Sequence, residues 1–74
     1  MNKVLRIIED KLGLNENEYT MESSFTYDLG CDSLDFTDII MECEREFNIV
    51  ITDEELVHIV TIQDLVNCIA EHTK

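Results

Sequence analysis

Proline is absent from this chain, and only two glycines, Gly13 and Gly30, are available to break its elements. Basic side chains are also scarce: Lys and Arg number 5 against 17 Asp and Glu, for a net charge of -12. The bases gather at the ends as Lys3, Arg6, Lys11 and Lys74, with Arg45 alone between them. A surface so short of cations repels phosphates, which argues against nucleic acid or an anionic membrane as a partner. It favours a partner with a basic patch, because opposite fields speed encounter. No apolar run reaches the roughly 18 residues of a membrane span, and no basic segment precedes an apolar one as in a secretory signal. The expectation is a soluble, cytoplasmic protein. Cysteine is sparse and odd in number, with Cys31, Cys43 and Cys68 forming no CxxC pair. That argues against a disulfide framework and fits a reducing compartment. Cys43 and Cys68 fall on apolar helical faces as small core residues, whereas Cys31 reads as an exposed loop thiol able to oxidise or cross-link. No repeat, low-complexity tract or linker divides the sequence, so one domain over residues 1-74 is expected.

What is present is enough apolar mass to fold, 45% of residues, in a helical rhythm. Val4, Ile7, Ile8 and Leu12 predict a helix over 2–12. Gly13 suits its left-handed end, with Leu14 folding back on Ile8. Residues 15 to 31 sustain no period and form a long loop, anchored by Phe25 and Leu29; structureless loops of that length are often functional. A second helix is predicted over 33–47, with Asp32 as N-cap, Asp35 at its third position, and Phe36, Ile39, Ile40, Cys43 and Phe47 on one face. Thr52 to Glu55 is a capping box with Ile51 and Leu56 as its hydrophobic staple, opening a short helix over 53–58. Thr61 to Asp64 repeats the pattern with Val60 and Leu65, opening a last helix over 62–71 whose core face is Leu65, Val66 and Ile69. Ile49-Val50-Ile51 is too short and unpartnered for a strand. The fold class is all-α: three longer helices and one short one.

The stretch Asp28-Leu29-Gly30-Cys31-Asp32-Ser33-Leu34-Asp35 is a loop-to-helix junction that sets one serine hydroxyl at a helix mouth among carboxylates. A serine without a base is a weak nucleophile, so Ser33 is better placed to be modified by another protein than to attack on its own account. The helix it opens divides into stripes at about 100° per residue. One is acidic, Asp35, Asp38, Glu42 and Glu46, and costs a few tenths of a kcal/mol per like pair, with Arg45 offsetting Glu42. Another holds Leu34, Thr37 and Met41 away from the core. Apolar anchors inside a charged rim describe a docking surface, although lone exposed leucines are common. Three rival chemistries fit less well. A serine hydrolase needs the glycine pattern of a nucleophile elbow, which Ser33 lacks. His58 and His72 read as surface residues, His72 near a helix C-terminus where it favours the dipole, so no catalytic residue is assigned. Asp28, Asp32 and Asp35 lack the order of a calcium loop, so no metal site is assigned, although clustered acids can hold divalent ions loosely. An unmodified interaction module is the third rival.

Taken in order, Ser24-Phe25, Asp28-Leu29-Gly30, Asp32-Ser33-Leu34-Asp35, Met41, Glu44, Glu46-Phe47, Ile51 with Asp53-Glu54-Glu55, and Thr61 with Gln63 resemble the acyl carrier proteins over essentially the whole chain. The resemblance, to the freestanding bacterial type, implies a four-helix bundle and a monomer that is not itself an enzyme. It implies a 4'-phosphopantetheine arm, taken from coenzyme A by a phosphopantetheinyl transferase (holo-ACP synthase) and joined to Ser33 through a phosphodiester, with Asp32 and Leu34 flanking the attachment. The arm's thiol would carry acyl groups as thioesters to fatty-acid synthesis enzymes with basic patches. Leu34, Asp35, Asp38, Met41, Glu44 and Glu54 match the family's docking surface. Four positions depart from the family pattern: Cys31 stands where alanine is commoner, Thr37 replaces an aliphatic residue, Arg45 an acid, and Thr52 a proline. None touches the attachment, but Thr37 and Arg45 bear on partner choice, and a carrier dedicated to a specialised polyketide-like or secondary lipid pathway is the alternative.

Overall fold

Val4 and Ile8, one helical turn apart on α1 (Asn2–Leu12), are both fully buried. The computed structural model describes residues 2–74. α1 lies along α2 (Ser33–Phe47), which buries Ile39, Ile40 and Cys43. α3 (Asp53–Leu56) is a single turn, and α4 (Ile62–His72) completes the core with Ile62, Leu65, Val66 and Ile69. The architecture is a four-helix bundle with three longer helices and one short one, and the described residues contain no named strand. No helix is long and apolar enough to cross a membrane among the described residues.

The helix ends follow local chemistry. Gly13 takes φ 66°, and beyond it the Leu14 N–H donates to Glu9 O at 3.0 Å, closing α1 with a left-handed cap. Asn48 does the same for α2 at φ 55°, with its own N–H and that of Ile49 donating to Glu44 O. Both capping boxes form. Thr52 accepts from Glu55 N–H and Thr61 from Asp64 N–H, each returned by the acid side chain. α3 ends at Leu56 instead of residue 58, because Val57 and His58 close a turn onto Asp53 O and Glu55 O.

The long loop has no regular element but is tightly tied. Phe25 is buried and meets Phe36 of α2 edge to face, ring centroids 5.3 Å apart. Leu29 packs partly against the core, as do Tyr19 and Met21. The loop also supplies acceptors to α4, whose first N–H groups have no partner within their own helix. Ile62 N–H donates to Ser23 O at 3.1 Å and Gln63 N–H to Met21 O at 2.8 Å. An isolated antiparallel bridge pairs Ser24 with Thr61.

The structure qualifies three expectations. Cys31 is buried, 8% exposed, because its N–H donates to Phe25 O at 2.8 Å and the left-handed Gly30, φ 68°, turns the chain inward just before it. Of the predicted Val60–Leu65 staple, Leu65 is fully buried and Val60 is not. Val60 is half exposed, its carbonyl accepting from Phe25 N–H, and Ile59 and Ile62 provide the burial on either side of it. Cys68 is only half-buried, at the edge of the core.

Candidate functional site: a helix-mouth serine and an acidic face

Asp32 holds an extended backbone, φ -90°, and its Oδ1 accepts the Asp35 N–H at 2.9 Å. That cap fixes where α2 begins and leaves Ser33 as its first helical residue, exposed at the surface. The Ser33 carbonyl accepts the Thr37 hydroxyl at 2.7 Å, whereas its own hydroxyl meets no hydrogen-bond partner among the described residues. Burial of Cys31 just before this turn roots the junction in the core while Asp32, Ser33, Leu34 and Asp35 stand outside it. Leu34 is 74% exposed and Met41, two turns on, is 50% exposed.

The acids around this hydroxyl divide into free and engaged groups. Asp35 and Asp38 are exposed and form no ion pair among the described residues. Glu42 is paired with Arg45 at 3.0 Å and Glu46 with Lys3 of α1 at 3.3 Å. Such exposed pairs are worth at most about 1 kcal/mol each. Asp28 has turned to its own loop, Oδ2 accepting the Ser24 N–H at 2.7 Å. Glu44 is half-buried, its Oε2 accepting the Ile51 N–H at 2.8 Å. That carboxylate anchors the chain between α2 and α3, so its part in the surface is structural first. Glu54 of α3 is exposed and forms no ion pair among the described residues. The exposed docking candidates are thus Leu34, Asp35, Asp38, Met41 and Glu54. Thr37 spends its hydroxyl inside its own helix.

A second group escapes any reading of the sequence alone. His72 Nε2 lies 2.7 Å from Glu55 Oε2, and the Cys68 thiol donates to the same oxygen at 3.4 Å. The Glu55 carboxyl is held down to about 2, mainly by the Thr52 backbone N–H and next by His72. Burial first, then the neighbouring Glu55, pushes the Cys68 thiol up to about 11. Cys68 and His72 sit four apart on α4, a spacing visible in the sequence; their meeting with Glu55, which depends on how α3 folds back, is not.

Nothing in this geometry activates Ser33 from within. No imidazole is hydrogen-bonded to it among the described residues, and both histidines lie on or after α3. An exposed, unengaged hydroxyl at a helix start is accessible to a group brought by another protein. The chain matches the family model of the phosphopantetheine attachment site over residues 2–69. The chain belongs to the acyl carrier proteins. It is 48% identical over 73 residues to an acyl carrier protein of Clostridium perfringens, covering 99% of this chain and 96% of that one. With its counterpart in Clostridium acetobutylicum it shares 49% identity over 72 residues, covering 97% and 94%. A solved structure of a candidate acyl carrier protein from Mycobacterium tuberculosis superposes with a TM-score of 0.86 at 28% identity, over 95% of this chain and 93% of that one.

Membership brings the family's covalent cofactor, 4'-phosphopantetheine. The mouth of α2 fits the phosphate end of such an arm. A helix start carries partial positive charge, and the exposed position lets a tether leave without displacing any packed side chain. Asp32 and Asp35 oppose a further negative charge, and their exposure to water screens that repulsion.

Proposed function

We propose that Ser33 is the attachment point and that the carrier delivers acyl chains, held as thioesters on the arm, to enzymes of fatty-acid synthesis. One observation supports the position above all. Of the chain's three serines, Ser24 is buried with its Oγ accepting the Tyr27 N–H, and Ser23 accepts the Thr20 N–H, while Ser33 alone is exposed with an unengaged hydroxyl. The arm supplies a terminal thiol on a flexible tether, which raises the effective concentration of its cargo at a docked active site. The protein's own residues do the rest. Asp32 fixes the helix start that aims Ser33 outward. The transferase provides the base that takes the hydroxyl proton, together with a metal that neutralises the pyrophosphate of coenzyme A.

Docking falls to the exposed face. Leu34 and Met41 offer apolar anchors, and Asp35, Asp38 and Glu54 offer the charge that steers a basic partner. Weak, fast, charge-steered contact suits a shuttle that must leave each enzyme in turn. This assignment places the carrier in the cytoplasm as a monomeric domain with no catalytic residue of its own. The deciding experiment is intact mass spectrometry after incubation with coenzyme A and a phosphopantetheinyl transferase. The wild-type chain gains the mass of one arm and Ser33→Ala gains none. A loaded Ser33→Ala chain would move the attachment elsewhere.

A further inference from the structure

The Glu55, Cys68 and His72 cluster lies outside the docking face of α2. Oε2 of Glu55, Sγ of Cys68 and a ring nitrogen of His72 lie within 4.8 Å of one another. They come from two elements, the end of α3 and one face of α4. Glu55 and Cys68 line a hollow of about 270 Å³ that opens to solvent, also lined by His58, Asp64 and Glu71, and His72 meets Glu55 beside it. We propose that these three side chains form a site for a borderline-soft divalent cation, Zn²⁺ by chemical class, with water completing a tetrahedron.

The donor set carries the choice of ion. A thiolate, an imidazole and a carboxylate together suit zinc and disfavour magnesium or calcium, which take oxygen ligands. The spacing is close to what is needed. With metal–ligand bonds of about 2.0–2.3 Å, tetrahedral ligands stand about 3.3–3.6 Å apart. The thiol–carboxylate separation of 3.4 Å already meets that, and the imidazole–carboxylate separation of 2.7 Å must open by a small side-chain rotation. The carboxylate is also pre-oriented. Its Oε1 accepts both the Thr52 N–H and the Thr52 hydroxyl at 3.1 Å, which leaves Oε2 facing the other two ligands. Outer partners that orient a ligand in this way are usual at metal centres. Cys68 is also the least buried of the three thiols. On binding, Cys68 loses its proton to solvent, His72 ligates through Nε2 as neutral imidazole with its one remaining ring proton on Nδ1, and the hydrogen bonds to Oε2 are exchanged for metal bonds. The sequence alone assigns no metal site here, because ligands from residues 55, 68 and 72 match no linear motif.

The test uses the full chain with Ser33 unmodified, so that no arm thiol competes. Co²⁺ serves as the spectroscopic probe and Zn²⁺ as the competitor, in an excess of Mg²⁺. The expected result is a single equivalent bound, a near-ultraviolet thiolate-to-cobalt band bleached by Zn²⁺, and a melting temperature raised by Zn²⁺ beyond the effect of equal Mg²⁺. Cys68→Ser should abolish the band, and His72→Gln should weaken Zn²⁺ binding by about tenfold or more. Absence of the band in the wild type, its persistence in Cys68→Ser, or a Zn²⁺ effect no larger than that of Mg²⁺ would overturn the site. Either of the last two would reduce it to general screening of an acidic surface or to another thiol.

Discussion

The starts of α2 and α4 obey the same local rule and end in opposite situations. Each is set by a short oxygen-bearing side chain, Asp32 or Thr61, accepting the N–H three residues on. At α4 the first helical residue, Ile62, is fully buried, and the long loop supplies carbonyls to Ile62 and Gln63. At α2 the first two helical residues, Ser33 and Leu34, stand in solvent. One junction is built into the core and the other stands open to solvent. Capping chemistry decides where a helix starts; whether that start is buried depends on which neighbouring segment arrives to cover it.

Substitution can break that contrast. The largest effect belongs to Ile62→Ala, which empties a fully buried site and should lower unfolding free energy by about 2–5 kcal/mol, read by urea denaturation. Leu34→Ala should change stability by less than about 0.5 kcal/mol in the same assay, as for exposed surface positions. Next, charge reversal of Asp35 and Asp38 together should slow arm loading by about tenfold or more at low salt, the gap narrowing as salt rises. Unaltered loading kinetics in that double variant would remove the docking claim. Third, Thr61→Ala should cost about 1–2 kcal/mol and Asp32→Ala about 0.5–1, both within the range for lost caps. Equal losses would mean that the buttressing of α4 by the loop adds nothing to its cap. The smallest effect is a pH dependence. The Glu55 carboxyl is depressed from 4.5 to about 2 in the folded state, so its contribution is whole above about pH 4.5 and disappears as pH falls toward about 2. The stability advantage of wild type over Glu55→Gln should shrink across that interval. A constant difference from neutral pH to about 2 would show that the carboxylate's bonds do not favour its charged form.

The helices and their caps are legible in the sequence because they depend on residues within a turn of one another. Asp32, Thr52 and Thr61 announce their helices through pairs three apart, and the apolar rhythm of Ile39, Ile40 and Cys43 announces the buried face. The junction at Ser33 is legible for the same reason. What escapes depends on distant segments. Cys31 is a loop thiol by local criteria and becomes a core residue only because Phe25 O captures its N–H. Val60 has the position of half a staple, yet it stays half exposed while its carbonyl accepts from Phe25 N–H and Ile62 is fully buried beside it. Glu44 is one more surface acid by pattern, and only the fold brings the Ile51 N–H onto it. The meeting of Glu55 with His72 spans 17 positions, beyond any helical period.

The inward turn of Cys31 has a chemical consequence. A carrier whose cargo hangs from a thioester is exposed to theft by any nearby sulfur nucleophile, and Cys31 stands only two residues from Ser33, the proposed attachment point. Burial, followed by the negative charge of Asp35 and Asp32, pushes this thiol up from its ordinary value, so little of it is thiolate at neutral pH. The fold thereby silences the sulfur that could most easily strip an activated acyl group from its owner.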